Sequence, residues 1–85
     1  METESKAVIR DMLEQIIRVR QNEIRREERG PAALIMAYDN AGAMLRHIMS
    51  NAENIESAIW YYIEREAIKR EIIRISKNKG GGDPS

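Results

Sequence analysis

Cysteine and phenylalanine are absent from the 85 residues, and proline occurs only twice. Without cysteine there is neither a disulfide framework nor a thiolate metal site. The single histidine, His47, has no second histidine four residues away, so the spacing of a helical zinc site is missing and a solvated surface residue is expected. Charge of one sign is not in excess: 14 Lys and Arg stand against 14 Asp and Glu, where a strongly basic nucleic-acid binder shows a surplus. No run of 18 apolar residues occurs, so nothing is expected to span a membrane. The opening Met1-Glu2-Thr3-Glu4-Ser5 is acidic and polar, unlike a secretory signal, and the expected location is the cytoplasm. Neither GxGxxG, a Walker-type loop nor a nucleophile elbow is found. The only glycine cluster, Gly80-Gly81-Gly82, has no helix behind it to hold a phosphate. Paired carboxylates such as Glu27-Glu28 lie in a charge-rich stretch where solvation is expected. These gaps lead to the expectation of no enzyme activity, no cofactor and no metal.

What is present is a long apolar stripe. Leu34, Tyr38, Ala41, Leu45, Ile48, Ala52, Ile55, Ile59 and Tyr62 follow one another in alternating steps of four and three. That is a seven-residue repeat with two apolar positions, the pattern of a helix seam packed on another helix. Strand alternation with period two is nowhere visible in this stretch. The expected class is therefore all-α, as a single helical domain over 1–79 with a flexible tail at 80–85.

In chain order, Thr3 or Ser5 is placed to cap a first helix over about 6–28. Its apolar residues Val8, Ile9, Met12, Leu13, Ile16, Ile17, Val19 and Ile24 cover about half of a helical wheel, wide enough to touch two neighbours at once. Glu14 and Arg18 sit four apart in the favourable order. Gly30-Pro31 breaks the chain: Gly suits a left-handed helix end and Pro the first turn of the next helix. A connection this short predicts that the first two helices turn back on each other. Gly42 lies off the stripe centre, either merely tolerated or marking a close helix approach. Ser50-Asn51-Ala52-Glu53 reads as a capping box, which gives three helices, over about 6–28, 31–49 and 52–77. The stripe crosses that point in register, which would instead give one long second arm. The architecture expected is an antiparallel helical hairpin or a three-helix bundle with a long, coiled-coil-like second arm.

The last stretch carries two stripes. Ile55, Ala58, Ile59, Tyr62 and Ile63 lie on one, and Tyr61, Ile68, Ile72 and Ile75 on another more than 100° around. A heptad drifts only about 20° per repeat, so two contact surfaces are expected, the second serving another chain or the returning end of helix 1. Trp60-Tyr61-Tyr62 is the one aromatic cluster, and Trp and Tyr are favoured interface anchors. Trp60, Tyr61, Ile68, Ile72 and Ile75 are thus the expected protein interface, with a homo-oligomer (a dimer first) or a protein partner on the other side. Basic residues gather in two places, Arg25, Arg26 and Arg29 at the end of helix 1 and Arg65, Lys69, Arg70 and Arg74 late in the chain. The first group is either a solvated helix end or a docking surface for an acidic partner or phosphates; the second either complements the helix dipole or tracks phosphates.

The stretch Ile63-Glu64-Arg65-Glu66-Ala67-Ile68-Lys69-Arg70-Glu71-Ile72-Ile73 is similar to the closing helix of the α-helical domain in archaeal GINS proteins. The resemblance covers residues 63–73, and neither a Phe-Tyr segment after helix 1 nor a β-rich second domain accompanies it. It implies a scaffold in a replicative helicase complex. The reading of the residues themselves is a non-enzymatic assembly or interaction protein acting through helix packing and self-association. The alternative is a nucleic-acid-associated architectural or coat protein.

Overall fold

The computed structural model describes residues 2–51 and 55–81. They form three helices and, among the described residues, no strand: α1 (Glu2–Arg26), α2 (Pro31–Asn51) and α3 (Ile55–Gly81). The all-α, three-helix expectation holds, with shifted ends. α1 begins before Lys6, so Thr3 and Ser5 lie within the helix instead of capping it, and α3 runs beyond Lys77 to Gly81. Ser50 does not start a helix either. Its hydroxyl donates to the Arg46 carbonyl at 2.9 Å, one turn back, as a serine inside a helix does. Glu53 and Ala52, the rest of that expectation, lie outside the described residues.

The break at Gly30-Pro31 is real, but its geometry differs from expectation. Pro31 opens α2, and the Leu34 amide donates to the Gly30 carbonyl at 3.1 Å. The residue in the left-handed region is Glu28, with φ 54°, not Gly30. The Glu27 and Glu28 amides donate to the Ile24 and Arg25 carbonyls at 3.1 and 3.2 Å. These three-residue bonds tighten the last turn of α1, and the chain has turned its corner before it reaches the glycine.

The topology needs a larger correction. α1 and α2 share no packed face; both pack on α3, which lies in the middle. The antiparallel hairpin is formed by α2 and α3. α1 crosses α3: Arg20 on one flank reaches Glu64, while Glu14 and Gln21, seven residues apart on the other flank, reach the neighbouring Arg70 and Glu71. The core is one cluster where the three helices meet: Ile17 and Ile24 from α1, Leu34 from α2, and Ile63, Ala67 and Ile68 from α3. Leu13, Ala37, Tyr38, Ile72 and Ile75 pack around it.

The long stripe is not one seam. Its first half points inward, with Leu34 and Ala41 buried and Tyr38, Leu45 and Ile48 half-buried. Its second half points outward: Ile55 is 75% exposed, and Ile59 and Tyr62 are exposed too. The phase that survives in the sequence does not survive in space, because α3 presents Ile63, Ala67 and Ile68 to the core and turns Ile55, Ile59 and Tyr62 away. Gly42 does mark a close approach. A β-carbon there would lie 3.3 Å from Nε of Arg65, whose guanidinium sits 4.7 Å from the centre of the Tyr38 ring.

The result is an open arrangement. The radius of gyration is 15.2 Å, against about 12 Å for a compact chain of this length. The accessible surface is 6584 Å², where a folded monomer of this mass exposes roughly 5,200 Å².

Candidate interaction surface

The five expected interface residues separate. Ile68 is 1% exposed and belongs to the core cluster. Ile72 and Ile75 are partly buried against that cluster, and Tyr61 is half-buried. This stripe is therefore used by the chain itself, and the expectation that Ile68, Ile72 and Ile75 face another chain is corrected. The cause is the central position of α3, which must satisfy two neighbours. Trp60 alone keeps the exposure of a partner-facing anchor, at 57%.

The seven basic residues separate as well. Arg70 donates two bonds to Glu14 at 2.6 and 2.7 Å, and Arg74 two to Glu71 at 2.9 and 2.6 Å. Arg29 pairs with Glu27 at 2.6 Å and Lys69 with Glu66 at 3.2 Å. Arg65 lies over Tyr38. Arg25 and Arg26 are exposed and form no ion pair among the described residues. Five of the seven thus have a partner within the chain.

Two ion pairs fasten α1 to α3. Arg20 Nε and Nη2 donate to the two oxygens of Glu64 at 2.6 and 2.9 Å, the forked geometry that arginine forms with a carboxylate. Glu14 accepts the matching fork from Arg70, and also bonds Arg18 at 3.2 Å. Its hydrogen bond to Arg70 is the main reason that its carboxyl is held down at about 2, with Arg18 adding to the effect and burial opposing it. Glu71 is only 2% exposed. Its hydrogen bond to Arg74 lowers its pKa against the effect of burial, and Gln21 adds a bond at 3.3 Å. No sequence motif announced Glu71; a Glu on the same helical line as Ala67 was the only signal.

The surface that the sequence reading did not single out is the outer side of α1. Val8, Met12, Ile16 and Val19 recur at steps of four, four and three, and all are exposed. They are the half of the wide apolar stripe that α3 does not cover. Two shallow grooves adjoin it. One, of about 620 Å³, is lined by Ile16 and Val19 with Trp60, Tyr61 and Ile63 of α3, between Arg20, Glu23 and Glu64. The other, of about 350 Å³, is lined by Val8, Met12 and Ile16 with Asp11 and Gln15. Ile16 belongs to both, so the apolar surface is continuous along three turns. The signal for it was the width of the stripe, which asked for a second neighbour that the chain does not supply.

Among the described residues no group of His, Asp and Glu is arranged to hold a metal ion, and no helix is long and apolar enough to cross a membrane. No family model, no curated protein and no solved structure matches the chain, so the surface is read from its own chemistry.

Proposed function

We propose that the protein is a non-enzymatic helical assembly protein that works by self-association through helix packing. The observation that carries this reading is the excess of exposed apolar surface. Five buried aliphatic residues larger than alanine stand against fourteen exposed large hydrophobic ones among the described residues. Single exposed apolar residues are ordinary, but a continuous patch marks an interaction site. The area fits too: the surface exceeds that of a compact monomer by more than about 1,000 Å², while each partner in a standard interface covers about 800 Å².

The nucleic-acid reading has less support, since five of the seven candidate arginines and lysines are engaged inside the chain. A GINS-like scaffold is a special case of an assembly protein, and the stretch that suggests it places Ile63, Ala67 and Ile68 in the intramolecular core. Light scattering after size exclusion tests the proposal. The expected mass is at least twice the chain's 9.8 kDa at micromolar concentration. A 9.8 kDa species at every concentration overturns it.

A further inference from the structure

We propose that a second copy of this chain docks on the outer face of α1, forming an antiparallel α1–α1 pair about a twofold axis, with Val8 and Met12 of one copy against Ile16, Val19 and Trp60 of the other. This rests on the self-association reading and names the surface and the geometry.

A twofold interface must be self-complementary, with each contact made twice. The outer stripe of α1 meets that condition in the antiparallel sense. Reversing one copy places Val8 opposite Val19 and Met12 opposite Ile16, so apolar residues meet along the whole stripe. The two grooves fit this arrangement, because the half of α1 that lacks an α3 wall, around Val8 and Met12, falls on the half flanked by Trp60.

Charge complementarity points the same way. Asp11 and Arg18 are seven residues apart and lie on one flank of the stripe, both exposed, Arg18 also bonding Glu14 of its own helix at 3.2 Å. In an antiparallel twofold pair, equal flanks face each other, so Asp11 of each copy meets Arg18 of the other. A parallel pair would bring opposite flanks together and leave Asp11 and Arg18 without each other. The open arrangement leaves room for such a contact: the whole chain exposes 6584 Å², more than the roughly 5,200 Å² of a compact monomer of this mass, and a standard interface takes about 800 Å² from each partner. Trp60, 57% exposed in the single chain, closes over Val8 and Ile9 of the partner.

The test uses the full chain. Met12→Glu with Val19→Glu alters two exposed positions, so helicity by circular dichroism is expected to stay as in the native chain. Dimerisation should weaken about a hundredfold or more, since each carboxylate would be buried without a partner. Trp60 emission of the native chain should shift to shorter wavelength as concentration rises, and that of the variant should not. The geometry is read separately by Val8→Cys with Val19→Cys in this cysteine-free chain. The two sites lie about 16 Å apart on one helix, too far for a bond within the chain. A disulfide-linked dimer under mild oxidation, absent from a Met36→Cys control on α2, is the expected result. A native dimer whose mass is unchanged by the glutamates, or that forms no link between the cysteines, overturns this surface and leaves self-association standing. A native chain that is monomeric throughout overturns both.

Discussion

Among the described residues, Glu28 holds the one left-handed backbone conformation at a non-glycine residue. Its φ of 54° places a β-carbon where the left-handed conformation crowds it, which costs about 1–2 kcal/mol for an ordinary residue. Gly30, two positions on, does not relieve this, because the corner is already made. Glu28→Gly should stabilise the fold by about 0.5–1 kcal/mol, after the glycine's larger entropy loss is subtracted. For a chain of this size that raises Tm by a few degrees, measurable by thermal circular dichroism. A lowered Tm would show that the Glu28 side chain does something the corner needs. Gly42 is a contrasting case. Alanine there would favour the helix by roughly 1 kcal/mol, but its β-carbon would press on Arg65, which lies over Tyr38. Gly42→Ala should therefore gain less than that propensity difference, and recover it in an Arg65→Ala background.

At the scale of the helices, α3 decides the architecture, and the two isoleucine stripes on it should respond oppositely to charge. Ile68→Glu puts a carboxylate into the only core cluster among the described residues and should unfold the chain, since the loss exceeds the few kcal/mol that so small a core provides. Ile59→Glu, on the exposed stripe, should leave the melting curve within a few degrees of the native one. Equal effects would mean that the stripes have been exchanged. Both stripes were legible in the sequence, as were the break at Gly30-Pro31 and the helical class. Which stripe faces inward was not, because periodicity gives directions around one helix and says nothing about where the next helix lies. The pairing of α1 with α3 in place of α2 was hidden for the same reason. Loop length limits which helices are near, but the corner at Glu28 turned α2 away and left α3 to fill the gap. The forks Glu14–Arg70 and Arg20–Glu64 join residues 56 and 44 positions apart, a separation that no local pattern records. Glu14 also makes the α1–α3 junction acid-sensitive. Glu14 and Glu71 both have folded pKa values below the ordinary range, so in acid the unfolded chain binds more protons than the folded one. Their contribution is complete above the ordinary carboxyl value and fades as pH falls, for Glu14 down towards about 2. Tm should drop steadily below about pH 5, and Glu14→Gln should flatten that dependence; an unchanged slope would remove Glu14 from the clasp.

For the molecule as a whole, the open arrangement ties stability to concentration. Ile17, Ile24, Leu34, Ile63 and Ile68 are all the large apolar side chains that the described residues bury, and α1 rests on α3 with its other side bare. A chain that completes its core by pairing gains stability from every increase in protomer concentration, because association draws on the folded state alone. Each tenfold increase is worth about 1.4 kcal/mol per dimer at room temperature. Spread over the unfolding entropy of two such chains, that corresponds to a Tm rise of roughly 4 °C per decade. Thermal melts from micromolar to millimolar protein should show that slope in the native chain. Met12→Glu with Val19→Glu should lose the slope and keep the melt of the single chain. A flat native series would mean that three helices with a bare α1 face are stable alone, and the exposed stripe would then need a different partner.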